Sequence, residues 1–154
     1  MRLLIPFAVA ALSIGLTACD KPTPVPVAFA SSTDIFRGEW AGTAEESGGA
    51  EVKVNVAATY LSPESYGING TLTFKGVTYT LAGQANAAGG AYLTTQMSQV
   101  PASFRWEANL SLNGQDAGKL SGYQYVQWPG ESEINSFLKL GAQSYTFFVL
   151  KRVQ

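Results

Sequence analysis

The chain has 154 residues, enough for one domain with its own apolar core. Its net charge is -1 and no basic cluster exists beyond Lys151-Arg152. That argues against nucleic acid as a partner, because neutralising phosphates takes several convergent cations. There is no histidine and a single cysteine, which excludes histidine-activated nucleophiles, the usual zinc sites and disulfide staples.

At the N-terminus, Arg2 precedes an apolar run from Leu3 to Leu16 that is interrupted only by Pro6, Ser13 and Gly15. At roughly 14 residues this run is short for a bilayer span and fits the apolar region of an export signal. Leu16-Thr17-Ala18-Cys19 follows. These four residues resemble the lipobox of bacterial lipoproteins. The resemblance implies cleavage between Ala18 and Cys19 and a lipid thioether on Cys19, so that the protein is anchored to a membrane of the cell envelope. Lipidation also gives a purpose to a lone cysteine in an exported chain. Asp20, next in line, resembles the signal that retains lipoproteins in the inner membrane, which slightly favours that membrane over the outer one.

Residues 1–18 are thus read as the signal peptide and 19–33 as the lipidated cysteine with a tether. Pro22, Pro24 and Pro26 alternate in the tether, which fixes φ and removes amide donors. In a polyproline II conformation it would reach roughly 40 Å at about 3.1 Å per residue.

From residue 34 to 154 the pattern becomes period-2 alternation punctuated by turn residues, the mark of an all-β domain. Trp40 lies in a first strand over 36–45. Val52, Val54, Val56 and Ala58 share one face of the next. Tyr66, Ile68, Gly70, Leu72 and Phe74 share a face of a third, and Lys75-Gly76 turns it into a fourth with Val77, Tyr79, Leu81 and Gly83 inward. Phe104, Trp106, Ala108, Leu110 and Leu112 define another, and Asn113-Gly114 is a strong hairpin signal. Weaker strands are expected over 92–97, 119–127 and 135–140, the last with a short helix as the alternative, and a final strand over 145–153. Pro63, Pro101 and Pro129 are expected between strands. The fold class is all-β: an antiparallel meander of about eight strands closed into a small barrel, with a β-sandwich as the alternative. The polar face carries Thr, Asn, Glu, Lys and Arg, which does not suit a barrel immersed in lipid.

Gly38-Glu39-Trp40 resembles the Gly-x-Trp on the first strand of lipocalins and related barrels. The resemblance implies a cation from the last strand packed across Trp40, closing the barrel base. Arg152 is the matching residue, or Lys151 in the opposite phase.

A search for chemistry returns little. Glu45-Glu46 and Glu131 with Glu133 are carboxylate pairs, but both lie at turns, where they are read as solvated charges. Ser136-Phe137-Leu138-Lys139 matches a Ser-x-x-Lys pattern with no partner motif. No metal, cofactor or catalytic residue is assigned, and the protein is expected not to be an enzyme. Tyr123, Tyr125 and Trp128 remain as a candidate surface contact. If Lys119 and Ser121 set the outward phase, both tyrosines point outward and suit stacking on sugar or a protein contact. A bulge would instead turn both rings into the core, and we take that as the leading reading.

The functional expectation is a membrane-anchored, non-catalytic envelope protein whose lipocalin-like barrel binds a small apolar ligand or glycan. The alternative is an accessory subunit of an envelope protein complex. An eight-stranded barrel holds side chains or one small ligand. The inward aromatics therefore imply a filled interior, with any site at a mouth near 62–65 or 98–102.

Overall fold

The computed structural model describes residues 32–89, 92–94, 99–126 and 133–153. Among the described residues there are ten strands: β1 (Gly38–Ala44), β2 (Ala50–Ser62), β3 (Ser65–Phe74), β4 (Val77–Ala87), β5 (Tyr92–Thr94), β6 (Gln99–Pro101), β7 (Ser103–Leu112), β8 (Gln115–Tyr125), β9 (Glu133–Leu140) and β10 (Gln143–Arg152). Eight of them close into an antiparallel barrel in the order β1-β10-β9-β8-β7-β4-β3-β2, while β5 and β6 form a separate two-stranded sheet. The expected all-β fold is therefore a barrel and not a sandwich. Full closure leaves its eight strands without a free edge.

Local sequence chemistry accounts for the elements. Alternation of buried and exposed residues is clearest in β2, where Val52, Val54, Val56 and Ala58 are buried between exposed neighbours, and in β7 and β9. Lys75 and Asn113 take φ of 50° and 53°, each followed by a glycine at 77° or 78°. Two successive positive φ values make the tight turns that match the right-handed twist of a hairpin. Residues 135–140 belong to strand β9, so the helical alternative is excluded there. Pro63 lies in the β2–β3 turn as expected. Pro101 does not fall between strands: it ends β6, paired with Tyr92 in the small outer sheet. An edge strand accommodates proline because one side of its backbone needs no ladder bond. Pro129 lies outside the described residues.

The strands are steeply staggered. The row that starts at Gly38 passes through Val56, Gly70, Leu81, Leu110, Gly118 and Leu140 and returns at Gln143. Yet β1 meets β10 at Trp40 opposite Arg152. Such offset requires tilted, coiled strands. Glycines on the inward face permit the coiling: a Cβ at Gly70 would collide with the carbonyl of Asn55, and one at Gly83 with that of Glu107. The inward glycines thus serve backbone approach and leave little free space.

The interior is occupied by side chains. Phe36, Tyr66, Phe104 and Trp106 interlock near one end, with Phe36 centroids 4.6 Å from Tyr66 and 4.8 Å from Phe104. The Phe36–Tyr66 pair is tilted and the Phe36–Phe104 pair edge-to-face, a contact that adds to area burial. Trp40, Ile68, Leu72, Leu81, Leu110 and Leu120 continue the core. Three large residues of the expected inward set are less enclosed: Tyr79 is half-buried, and Val77 and Leu112, each beside a hairpin turn, are exposed. Leu112 is the last residue of β7, paired with Gln115 next to the Asn113-Gly114 turn and beyond a register shift at Leu110/Ser111.

Candidate functional site

A short 3-10 turn, η1 (Ser32–Ile35), plugs one end of the barrel and is fixed by three inward side chains. Gly38 has φ 124°, a conformation costly for any other residue, and this turns the chain from η1 into β1. Two residues later Trp40 is fully buried and its Nε1–H donates to the Phe36 carbonyl at 3.0 Å. The Arg152 guanidinium sits 5.0 Å from the Trp40 ring centre, and its Nη2 donates to the Asp34 carbonyl and, at 2.7 Å, to that of Ile35. Arg152 and not Lys151 is therefore the cation on Trp40; Lys151 lies on the outer face, 3.1 Å from Glu133. Burial pulls the Arg152 pKa below its ordinary value, an effect partly offset by the Asp34 carboxylate.

The third side chain, Gln124, was not foreseen. It is fully buried, accepts from Trp106 Nε1 at 2.8 Å and donates to the Ile35 carbonyl at 3.0 Å. It joins the aromatic cluster to the plug and satisfies polar atoms at both. Its inward phase between Tyr123 and Tyr125 was the available signal.

That phase also places the tyrosines. The β7–β8 register is regular from Ser103↔Tyr125 to Leu110↔Gly118, so the bulge expected to bury both rings is absent there. Tyr123 and Tyr125 point outward and are 43% and 49% exposed, which overturns the inward reading. Uninterrupted alternation leaves no other choice once Gln124 occupies the interior. Trp128, Cys19 and Ala18 lie outside the described residues.

The outer face around the tyrosines is an ordered grid. One row across the sheet holds Asn86, Arg105, Tyr123 and Asn135. The next holds Gln84, Glu107, Ser121 and Phe137, and the next Asn109, Lys119, Lys139 and Ser144. Arg105 is paired with Glu107 at 2.7 Å. Three adjoining grooves indent this face, with volumes of about 370, 190 and 200 Å³, and Lys119 lines all three. None of the three is lined by 62–65 or 98–102, where a mouth site was expected, and Ser98 lies outside the described residues.

The candidate carboxylates have other partners. Glu46, in the turn η2 (Glu45–Ser47), accepts from the Thr146 backbone N–H at 3.0 Å and hydroxyl at 2.6 Å. Those bonds hold its pKa below the ordinary value, the hydroxyl contributing most. Glu133 pairs with Lys151, and Glu131 lies outside the described residues. Ser136 is buried, donating to the Ile134 carbonyl at 3.1 Å, while Lys139 is exposed on the opposite face of β9, so the Ser-x-x-Lys pattern brings no serine and lysine together. Among the described residues no group of three or more acidic or cysteine ligands converges.

No protein-family model and no curated protein matches the chain. Solved structures do. The EF1p2_mFAP2b barrel bound to DFHBI superposes with a TM-score of 0.55 at 15% identity, covering 82% of this chain and 100% of that one. The redesigned β-barrel mFAP1, also bound to DFHBI, gives 0.52 at 16% identity, covering 79% and 97%. At such identities the likeness carries the fold alone: this chain is a small closed antiparallel β-barrel.

Proposed function

We propose that the protein is a non-catalytic saccharide-binding barrel of the bacterial envelope, held to a membrane by lipid on Cys19 and the proline-rich tether. The observation that carries the reading is the outward pair Tyr123 and Tyr125, two half-exposed rings on consecutive outward positions of one strand. A pyranose presents a face of C–H groups that packs on the electron-rich face of an aromatic ring. Its hydroxyls then meet the amides of Asn86 and Asn135 and the Arg105 guanidinium, which lie in the Tyr123 row and supply donors and acceptors. The packed interior supports recognition on the outer face.

A second reading is a small apolar ligand at the barrel end opposite η1. It is favoured by the binding of DFHBI by the similar barrels and by half-buried Tyr79 and Leu140 beside exposed Leu112.

Calorimetric titration of the full chain with envelope oligosaccharides tests the first reading. Tyr123→Ala and Tyr125→Ala should each weaken binding about 2- to 10-fold, the equivalent of roughly 0.5–1.5 kcal/mol per ring. Absence of saccharide binding by the unmodified chain sinks it; co-purification of one stoichiometric envelope protein in its place supports an accessory subunit. The anchor is checked separately by intact mass: the native protein should begin at Cys19 and carry acyl chains, and Cys19→Ala should stay uncleaved or leave the membrane.

A further inference from the structure

Eight basic residues lie in the described part of the chain, and six of them have clear partners. Arg37, Lys53, Arg105 and Lys151 are within 4 Å of carboxylates. Lys75 lies over the rings of Phe74 and Tyr145, and Arg152 is held on Trp40. The other two, Lys119 and Lys139, are directly opposite each other on β8 and β9, both exposed, with no carboxylate within that distance among the described residues.

Like charges directly opposite on one sheet face repel at a Cβ separation of about 5 Å. Such a pair gains from an anion placed between the two ammonium groups, which offer six N–H donors and no acceptor. The ground around them is shaped to receive one. The groove of about 370 Å³ is lined by Lys119, Lys139, Asn109, Gly118 and Gly141, and by one carboxylate, Asp116, which makes no ion pair with either lysine. Gly118 and Gly141 bring no side chain to it, and the β7–β8 register shifts beside it at Leu110/Ser111. A second groove, of about 200 Å³, adjoins both lysines and is lined by Ser121 and Phe137. Tyr123 lies on the same face of β8, two residues beyond Ser121.

We propose that Lys119 and Lys139 form an anion clamp at one end of the saccharide platform, so that the ligand is an acidic oligosaccharide whose carboxylate or phosphate group sits between the two lysines. The inference rests on the saccharide reading above. Four residues of strand separate Lys119 from Tyr123, roughly 13 Å at the usual rise per residue. A single sugar cannot touch both, whereas a short chain can stack on Tyr123 and Tyr125 and deliver an acidic group to the clamp.

The test titrates the full chain with an oligogalacturonate, a neutral gluco-oligosaccharide of equal length, and inorganic phosphate, at low and high salt. The acidic chain should bind at least 10-fold tighter than the neutral one at low salt, and the advantage should shrink as salt rises. Lys119→Gln with Lys139→Gln should erase the advantage and leave neutral binding unchanged, without lowering the melting temperature. Lys53→Gln, on a different strand, should change nothing. Tyr123→Ala with Tyr125→Ala should weaken both oligosaccharides. Equal binding of the two chains, or an advantage that survives the double lysine variant, overturns the clamp while leaving saccharide binding intact. Binding of phosphate without either oligosaccharide, or of none of the three, overturns both readings.

Discussion

Gln124 shows how one side chain sets the character of this barrel. Its carbonyl and amide are both used inside the core, by Trp106 and by the plug. Replacing it with leucine keeps the volume but strips Trp106 Nε1–H of its acceptor, while the Ile35 carbonyl still receives Arg152. An orphaned buried donor costs about 1–3 kcal/mol. Gln124→Leu should therefore lose about that much in urea-induced unfolding, and an unchanged midpoint would mean that Gln124 does not hold the plug. The same residue governs the surface: with Gln124 inward, Tyr123 and Tyr125 face solvent. Arg152 illustrates the converse. Its Nη2 donates to two carbonyls and its plane lies on the Trp40 face, which offsets part of its burial although the buried Nε has no partner among the described residues. The planar guanidinium suits this stacked position as the neighbouring, outward lysine would not.

Among elements, the join between the β1–β2 connection and β10 is electrostatic. The Glu46 carboxylate bridges from η2 to the backbone and hydroxyl of Thr146, a hundred residues away. Both bonds favour the ionised form, so its folded pKa lies below the ordinary 4.5. A depressed carboxylate pKa contributes stability that is fully present above the unfolded value and is lost as pH falls through the folded one. The lash should thus persist at pH 5 and release only as the pH drops below 4.5. Thr146 amide and Glu46 carboxyl NMR shifts should titrate together in that acidic window, and Glu46→Ala should abolish the Thr146 response. Titration of Glu46 at or above 4.5 would show that the lash does not form in solution. The β7–β8 hairpin shows a different division: its Asn113-Gly114 turn sets the register at the tip, while the register shift one row below lies beside the groove.

At the scale of the whole molecule, closure and filling act together. Eight strands make an interior just wide enough for side chains or one small ligand, and here two tryptophans, Tyr66, Phe36 and Phe104 take the space. The similar barrels hold DFHBI, whereas the interior of this one is filled by its own side chains. A titration with small apolar molecules, DFHBI among them, should give no saturable binding to this protein. Saturable binding that is blocked by enlarging Ala108 to leucine would place a ligand inside and raise the carrier reading above the saccharide one.

Much of this was legible before any coordinates. Strand identity followed from period-2 alternation, since a residue's side on a pleated strand is fixed by its parity, and two hairpin turns followed from residue types that tolerate positive φ. The resemblance of Gly38-Glu39-Trp40 to the lipocalin Gly-x-Trp implied a cation on Trp40 from Arg152 or Lys151, and the closure of β1 on β10 placed Arg152 there. Alternation does not reveal where it breaks, so the sequence reading turned Tyr123 and Tyr125 inward on an expected bulge, and the regular β7–β8 register corrects it by carrying them outward. Nor does parity say which strands become neighbours. The pairing of Lys119 with Lys139, the bonding of Gln124 to a carbonyl 89 positions away and the position of the grooves all depend on inter-strand register. Register is set by the summed packing of all eight strands around one core, a long-range property that no local stretch of the chain encodes.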